Sequence, residues 1–522
     1  MRLKAVIACA GLLASGLVGL SPSTAYAATT RYEAETSPAV CTGTIDSNWA
    51  GYSGSGFCNA TNAAGAYAQF TVNASAAGTA TLGVRFANGT TTSRPTDLIV
   101  NGTTVQSASF EGTAVWDTWV TKTLTVNVNA GTNTIRFNPT GSTGLPNLDY
   151  IDFTSGSTQP PGDTLYASPN GSASAPGTAS NPTTLASAIT RITAGGTIYA
   201  RGGTYNLAQT VTIAPGNNGT SSARKNLSAY PGETPVLNFS AQSEDSANRG
   251  LALNGSFWHL YGIVVEHAGD NGIFVGGSNN IIERTVTRFN RDSGLQISRI
   301  ASDTPHDQWP ANNLVLSAES HDNADSDGED ADGFAAKLTS GPGNVFRYAV
   351  SHNNIDDGWD LYTKTDTGPI GPVTIEDSLS YNNGTLSNGT QNENGDRNGY
   401  KLGGEDIAVN HVIRRNIAYH NGQHGFTYNR NLGTMSISDN ISIDNTERNY
   451  SFDGGTSVFR NNVSCRSSSG TTDRIIGDAD TSNQFWSGSN GSRCSSYVGA
   501  PRWSFATDGR LIVTFGSSPA TP

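Results

Sequence analysis

The chain has 522 residues, which is too long for one ordinary hydrophobic core and indicates at least two folded units. Charged residues make up only 14% of the chain whereas glycine fills 60 positions, which argues against helical bundles and coiled coils, because exposed helices carry many Glu and Lys. The net charge of −12 and the lack of a basic run argue against a nucleic-acid partner and against binding to anionic lipid. The composition favours an all-β protein.

The N-terminus has the pattern of a secretory signal. Arg2 and Lys4 precede an apolar run from Ala5 to Leu20, and Ala25 to Ala27 form a small-x-small cleavage site. The apolar run is too short for a retained membrane span. We therefore expect residues 1–27 to be a signal peptide, and the mature protein to be secreted, extracellular and monomeric, with no membrane anchor.

Four cysteines remain after this segment. An even number of cysteines in an oxidising compartment permits disulfides, and closeness in the sequence favours Cys41 with Cys58 and Cys465 with Cys494. Two such local bridges would strengthen existing cores, because they are too few to replace a core in a chain of this length.

A flexible boundary divides the chain. Residues 155–163 combine Gly and Ser with a Pro-Pro pair, a composition typical of a linker between domains 28–154 and 164–522. In the first domain, short alternating runs separated by Gly, Asn or Ser turns predict an antiparallel β-sandwich. Examples of these runs are Ala68 to Val72, Ala80 to Phe86 and Thr121 to Val126.

The first domain resembles a family 35 carbohydrate-binding module. The segments that carry the resemblance are Tyr32 to Glu35, Ala50 to Gly56, Arg94 to Gly102 and Asn147 to Phe153. The resemblance implies a structural calcium where the first and last strands meet. Glu33 and Glu35 fit it because alternate strand residues share one side, and Asp152 or Asp149 would complete the site. It also implies that end loops contact sugar, with Asn147, Trp116 and Arg94 as candidates.

The second domain begins with a helix and then a series of coils. Leu185, Ile189 and Ile192 recur at helical spacing between Pro182 and Ile192, and Gly195 to Tyr205 is typical of strand and turn. A short helix before coiled strands can cover the open end of a parallel β-helix, whose first coil would otherwise expose unpaired backbone.

A weak internal repeat supports this fold. Its unit is an Asn followed four residues later by Gly and an aromatic or aliphatic residue, sometimes with an insertion before the Gly. The copies start at Asn290, Asn323, Asn354, Asn383 and Asn421, with two degenerate copies, at Ala268, which lacks the Asn, and at Asn445, which has Asn449 in place of the Gly. Strand-like segments precede the turns, namely Arg347 to Ser351, Val373 to Ser380 and Val412 to Tyr419. Stacked Asn side chains would satisfy one another along a column.

The repeat register predicts a cluster of charged side chains. Equivalent positions in consecutive coils of a parallel β-helix lie about 4.8 Å apart on one face. The position before the repeat Gly is Asp332 and then Asp357, and the position two residues after it is Asp360 and then Lys401. Asp356 adds a fourth carboxylate. Such clustered carboxylates repel one another unless a hard divalent cation binds them.

This combination of groups suits one reaction. A polyuronate has a weakly acidic C5 proton beside its carboxyl group, calcium on that carboxylate would stabilise the developing charge, and a neutral lysine could remove the proton. Elimination of the 4-linked sugar would follow without attack by water. The sequence therefore predicts Ca²⁺ beside an amine base.

At these positions the chain resembles family 9 polysaccharide lyases, which are pectate lyases with a right-handed parallel β-helix. The segments that match are Asp332 to Lys337, Asp356 to Leu361 and Asn398 to Gly404. The resemblance implies that Asp332, Asp356, Asp357 and Asp360 are calcium ligands and that Lys401 is the catalytic base. Lys337, Lys364 and Arg397 lie near the same face and are candidates for binding substrate carboxylates.

Other functions remain open at this point. The chain could be a rhamnogalacturonan lyase or an exo-acting polygalacturonate lyase with the same site. A glycoside hydrolase on this fold would need a pair of catalytic carboxylates and no metal, and Lys401 beside four carboxylates argues against it. A non-catalytic carbohydrate-binding β-helix would use the carboxylates only for structural calcium. We expect a secreted calcium-dependent pectate lyase that its binding module targets to the pectic polysaccharide of plant cell walls.

Overall fold

The computed structural model describes residues 30–520 except 64, 75–77, 156–162 and 517. The chain forms two compact units that divide after residue 158. The expected signal peptide and most of the expected linker lie outside the described residues. Within those residues, no helix has the length and apolar content that a membrane crossing requires. The regular secondary structure of both units is almost entirely β-strand, which confirms the predicted all-β class.

The smaller unit is an antiparallel β-sandwich, as predicted. One sheet contains Thr30–Glu33, Gly43–Asp46, Phe57–Ala60, Gly78–Ala87, Val120–Val128 and Asn147–Ser155. The other sheet contains Val40–Cys41, Ala68–Ala74, Arg94–Val100, Thr103–Phe110 and Gly131–Pro139. Alternate residues point inward, where edge-to-face contacts join the rings of Phe70, Phe110 and Phe137. The predicted disulfide between Cys41 and Cys58 is present and links the two sheets.

The larger unit begins with the strand Thr164–Ala167, and the predicted helix, which spans Leu185–Arg191, follows it. The Thr184 side chain caps it by accepting a hydrogen bond from the Ser187 amide. Its buried face packs on the apolar core of the first coils through Leu185 and Ile189. The helix therefore contributes apolar surface to the end of the core, as expected.

The rest of this unit is a parallel β-helix with three faces, each formed by one parallel sheet. The first sheet contains Thr164–Ala167, Thr197–Ala200, Lys225–Ala229, Trp258–Tyr261, Ile281–Glu283, Leu314–Leu316, Asn344–Arg347, Val373–Glu376, Val412–Arg414, Ser436–Ser438, Val458–Arg460 and Asp478–Ala479. The second sheet contains Gly203–Asn206, Pro235–Asn238, Val264–Glu266, Val286–Arg288, Glu319–His321, Val350–His352, Leu379–Tyr381, Ile417–Tyr419, Ile441–Ile443 and Val463–Cys465.

The third sheet, called the site sheet below, carries the candidate functional residues. It contains Val211–Ile213, Leu251–Leu253, Ile273–Val275, Leu295–Ile297, Phe334–Ala335, Trp359–Asp360, Tyr400–Lys401, Phe426–Thr427, Tyr450–Phe452 and Arg474–Ile475. Inward-facing rings stack along the axis beneath it, from Trp359 to Tyr400 to Phe426, with centroids 4.8 and 4.6 Å apart. These stacked rings pack beneath the site sheet in the core of the coils.

The segments that we predicted as single strands are each two strands. A residue with positive φ bends the chain between them, at Tyr348, Asp377 and Arg415. These corners separate the first sheet from the second in successive coils. The prediction missed the corners because none of these residues is Gly, the usual occupant of this conformation.

The predicted column of stacked asparagines is present. The side chain of Asn323 accepts hydrogen bonds from the Asn290 backbone at 3.1 Å and from its side-chain amide at 2.8 Å. The same pattern continues through Asn354, Asn383, Asn421 and Asn445, and all of these side chains are buried. A second ladder, which the repeat analysis missed, runs at another corner through Asn416, Asn440, Asn462 and Asn483.

The C-terminal segment packs on the outside of the coils. The disulfide between Cys465 and Cys494 forms as predicted. A small antiparallel sheet of Pro501–Phe505, Leu511–Phe515 and Ser518–Pro519 follows, and its apolar residues join a cluster on the outer face of the second sheet. Short 3-10 helices span His306–Gln308 and Ser492–Ser496.

Candidate functional site

Lys401 lies in the site sheet directly beside Asp360. The register of the sheet pairs Ala335 with Asp360 and Asp360 with Lys401, as the repeat predicted. The Lys401 Nζ is 3.8 Å from Asp360 Oδ2 and 3.2 Å from Asp357 Oδ2. The amine and the carboxylates therefore meet on the outer face of two adjacent coils.

Three of the four predicted carboxylates converge on one point. Asp332, Asp357 and Asp360 are buried, and each places an oxygen within 4.8 Å of the others. Asp357 Oδ2 is buried and accepts no hydrogen bond from any described residue. Its charged neighbour is Lys401 Nζ at 3.2 Å, an ion pair without hydrogen-bond geometry. A cluster of hard oxygen ligands that includes a buried oxygen without a hydrogen bond fits a calcium ion.

The fourth predicted ligand, Asp356, faces a loop. Its Oδ1 accepts hydrogen bonds from the backbone amides of Asp396 at 2.5 Å and Arg397 at 3.2 Å. It is not in the cluster of converging oxygens. Asp356 therefore fixes the loop above the site in this structure.

A second lysine also lies among the carboxylates. Lys337 is 7% exposed in its side chain, and its Nζ donates to Asp332 Oδ2 at 2.7 Å and lies 3.5 Å from Asp360 Oδ2. We expected Lys337 to bind substrate carboxylates. Its contacts instead compensate the charge of the protein's own carboxylates.

Burial and mutual repulsion shift the pKa values at this site. Burial raises the pKa of Asp332 to about 7, and the Asp360 carboxylate adds to the rise. Burial also raises the pKa of Asp356 and of Asp357 well above the ordinary range. For Lys401, burial lowers the pKa, but Asp360, Asp357 and Asp356 outweigh that effect and raise it well above its ordinary value. A bound divalent cation is the expected way to relieve this carboxylate cluster.

Sequence reasoning missed three contacts at the site. Asp396 Oδ2 lies 2.9 Å from Lys401 Nζ. Asn398 donates to Asp357 Oδ1 from its backbone at 2.6 Å and from its side chain at 3.0 Å, and the Ser293 hydroxyl donates to Asp332 Oδ2 at 3.0 Å. Asn398 and Ser293 occupy the position before the repeat Gly, so the register that found Asp357 could have found them. Asp396 belongs to an inserted loop, whose path no repeat predicts.

Lys364 and Arg397, the other two residues predicted to bind substrate carboxylates, lie outside the carboxylate cluster. Lys364 is exposed on a tight turn beside the site sheet. Arg397 has a positive φ of 57°, and its buried Nε makes no hydrogen bond with a described residue. The aliphatic stem of Arg397 packs against Gly384 and Gly422, so this side chain is held in the loop above the site.

In the smaller unit, Glu33 and Glu35 lie near Asp149. The Ser53 hydroxyl donates to Glu33 at 2.7 Å while its backbone amide donates to Asp149 at 3.0 Å. The Ser55 amide donates to Glu35, and the second oxygens of both glutamates are buried without a hydrogen bond from the described residues. Burial raises the pKa of Asp149 to about 6, and the charges of Glu33 and Glu35 contribute.

Asp152 does not belong to this group, which corrects the first of our two choices. Asp152 lies opposite Arg31 in the strand register, and the two side chains form a bidentate ion pair at 2.8 and 3.1 Å. A bulge explains the difference, because the strand register shifts between Leu148 and Ile151, both of which point into the core. Asp149 and Asp152 therefore both lie on the outer face, and Asp152 is the one opposite Arg31. Asp149 is the residue that completes the carboxylate group.

The predicted sugar contacts of this unit are partly buried. Arg94 donates to the Leu145 carbonyl at 2.6 Å and lies beneath the Trp116 ring, 5.2 Å from its centroid. Asn147 is buried at the start of its strand. The half-buried Trp116 also covers Gly89. Arg94 therefore positions Trp116, which is the more accessible of the three.

A parallel β-helix with buried carboxylates and a lysine on one sheet defines the class of this protein, a polysaccharide lyase. The model described as "Pel9A-like, right handed beta helix region" matches residues 165–462. The chain belongs to that family, polysaccharide lyase family 9, as we predicted. A model of family 6 carbohydrate binding modules matches residues 35–155, which confirms a carbohydrate-binding module in the smaller unit.

Individual proteins show the same similarity. Pectate lyase L of Paenibacillus polymyxa (strain SC2) is 53% identical over 341 residues, which are 65% of this chain and 76% of that protein. The crystal structure of pectate lyase Pel9A has 31% identity and a TM-score of 0.56, and the match covers 64% of this chain and 82% of that chain. A family 35 carbohydrate binding module from Clostridium thermocellum has 38% identity over 24% of this chain and 98% of that chain, with a TM-score of 0.24.

Proposed function

We propose that this protein is a calcium-dependent pectate lyase that cleaves polygalacturonate by β-elimination. The observation that carries the proposal is the placement of Lys401 Nζ 3.2 Å from Asp357 and 3.8 Å from Asp360 on one face of the coils. Asp332, Asp357 and Asp360 would hold the calcium, with Asp356 as a further ligand. When bound, calcium would offset the carboxylate charge beside Lys401 and stabilise the negative charge that develops on the substrate.

Lys401 is the proposed base. Its neutral amine accepts the proton from C5 of a uronate, the C5–H electrons form the C4–C5 double bond, and the C4–O4 bond breaks as the leaving oxygen takes up a proton. Asp396, 2.9 Å from the amine, orients it toward the open side of the site. Lys337 holds Asp332 in place through its 2.7 Å hydrogen bond. The products are a shortened chain and an unsaturated uronate.

The same proposal includes where the enzyme acts. We propose that residues 1–27 direct secretion, that the segment 155–163 links the two units, and that the smaller unit binds plant cell wall polysaccharide. Trp116 is the proposed sugar contact in that unit, positioned by Arg94. Glu33, Glu35 and Asp149 are proposed to hold a structural calcium.

Product formation tests the proposed reaction. The purified protein should generate the ultraviolet absorbance of an unsaturated uronate from polygalacturonate in calcium, and chelation should abolish the signal. Reducing ends without that absorbance would indicate hydrolysis and would overturn the proposal. A rhamnogalacturonan backbone supplied in parallel tests the alternative substrate, and product sizes over time distinguish endo from exo action.

A further inference from the structure

A cationic pocket lies beside the proposed catalytic site on the same sheet. Its volume is about 480 Å³, and Arg249, Arg299 and Lys364 line it together with a single carboxylate, Asp366. Phe274 and Leu338 supply apolar surface. Three cations in one pocket stand out in a chain with a net charge of −12.

The register places this pocket in line with the catalytic residues. Phe274 pairs with Gln296, Gln296 with Ala335, and Ala335 with Asp360, so these side chains form one column along the helix axis. At about 4.8 Å for each coil, Phe274 lies roughly 14 Å from Asp360. A linear polysaccharide that follows this face from Lys401 reaches the pocket, whereas a single sugar does not.

Two of the three cations of the pocket lack an ion pair with the described residues, whereas Arg249 is paired with Asp270. Arg299 and Lys364 form no ion pair with any described residue. Arg249 stacks over the Phe274 ring, 3.4 Å from its centroid, and its Nε lies 3.4 Å from Asp270 without a hydrogen bond to the described residues.

We infer that this pocket is a distal subsite that binds the carboxylate of a uronate residue in the polysaccharide chain, several sugars away from the bond that is cleaved. The inference rests on the proposed function, because it assigns the pocket to the same acidic substrate. Arginine and lysine bind the carboxylate through charge-assisted hydrogen bonds, and the apolar wall contacts the face of the sugar ring. The subsite would therefore favour long, unesterified chains over short or esterified ones.

Binding measurements test the subsite without turnover. In a Lys401→Ala background, calorimetry with hexagalacturonate should show roughly tenfold weaker binding for Arg299→Gln and for Lys364→Gln, because each loses one charge-assisted hydrogen bond. Binding of digalacturonate, and of fully methyl-esterified hexamer, should not change. Arg510→Gln, at an exposed position in the turn before the strand Leu511–Phe515, is the matched control.

The outcomes separate this inference from the proposed function. Equal hexamer affinity in all variants, or an equal loss for dimer and hexamer, would overturn the subsite. Lys364→Glu should weaken hexamer binding further, and thermal unfolding verifies that each variant folds. A further outcome is that the enzyme with an intact Lys401 forms no unsaturated product while the pocket variants still lose affinity for the hexamer alone. In that case the proposed reaction fails and the carboxylate subsite stands.

Discussion

Lys337 and Lys401 approach the same oxygen, Oδ2 of Asp360, at 3.5 and 3.8 Å from two different coils. Lys337 is nearly enclosed and bonded to Asp332, whereas Lys401 extends toward the loop that carries Asp396. Their surroundings assign them different roles. Lys337 compensates buried charge, and Lys401 is the group that we propose acts on the substrate.

Replacing Lys401 should remove the proton acceptor and leave the binding surface. We expect Lys401→Ala to reduce kcat for polygalacturonate by about 10³-fold, the usual contribution of a general base, with a much smaller change in KM. Lys401→Arg should not restore activity, because a guanidinium does not lose its proton. Initial rates of unsaturated product formation measure both. Lys122→Arg in the smaller unit is the control, and an arginine variant that kept a tenth of the rate would contradict the assignment.

Replacing Lys337 should weaken the fold. Lys337→Met leaves Asp332 and Asp360 without this buried counter-ion, and we expect a loss of about 3 kcal/mol in the free energy of unfolding with chelator present. Calcium should recover part of the loss by supplying positive charge. Urea unfolding of the full chain gives the values. Lys122→Met, which breaks an exposed pair with Glu111, should cost less than about 1 kcal/mol, and equal losses for the two variants would refute a structural role.

Acid should destabilise the β-helix through His411. This imidazole is fully buried and accepts a hydrogen bond from the Val373 amide at 3.0 Å, and burial lowers its pKa to about 3. In the unfolded chain the pKa of this His returns to its ordinary value of about 6.5. Between about pH 3 and pH 6.5 the unfolded chain therefore binds more protons than the folded chain. The free energy of unfolding consequently falls as the pH drops below 6.5, and this His does not affect it above that pH.

The predicted size of this effect is about 2 kcal/mol at pH 5 relative to pH 8. His411→Asn removes the titrating group and can still accept the bond from Val373, as Asn344 does from Asn313 at the same corner. Between pH 8 and pH 5, the free energy of unfolding of the unsubstituted protein should therefore fall by about 2 kcal/mol more than that of His411→Asn. A constant difference from pH 8 to pH 5 would show that His411 does not titrate in this way.

The calcium site of the smaller unit should depend on Asp149 and not on Asp152. We expect the intact protein to bind one calcium in each unit. Asp149→Asn should reduce the bound number by one, because it neutralises the carboxylate beside Glu33 and Glu35. Asp152→Asn should leave the number unchanged, because that side chain is engaged with Arg31. Equilibrium dialysis counts the ions, and loss of calcium on substituting Asp152 would reverse our correction.

The repeat made much of the catalytic face predictable. Strand side chains alternate and coils stack at a fixed spacing, so the positions around each repeat Gly were enough to place Asp357, Asp360 and Lys401 together. The same logic could not place Asp396 or the ion pair of Asp152. The position of Asp396 depends on the path of an inserted loop. The ion pair of Asp152 depends on which of two nearby carboxylates lies beside Arg31. Neither feature recurs in the repeat.

The corners of the coils were harder to predict than their faces. Tyr348, Asp377 and Arg415 adopt a positive φ although their side chains disfavour it, because the surrounding strands impose the bend. Local propensity therefore favours a continuous strand where the tertiary structure forms two. Of the cations in the distal pocket, the sequence indicated only Lys364, since Arg249 and Arg299 come from separate coils with no shared pattern.

The asparagine ladder has a consequence for engineering this enzyme. Asn383 and Asn421 fix one corner of their coils regardless of how many residues separate each from the following strand. The loop between Asn383 and Gly399 can therefore be exchanged while the strands keep their alignment. A graft that keeps Asn398, whose two hydrogen bonds hold Asp357, would leave Asp360 beside Lys401. It would replace the loop contacts that Asp396 and Arg397 make with Asp356. Exchanging such loops in one coil after another would then alter the preference for substrate while Asp360 and Lys401 stay paired.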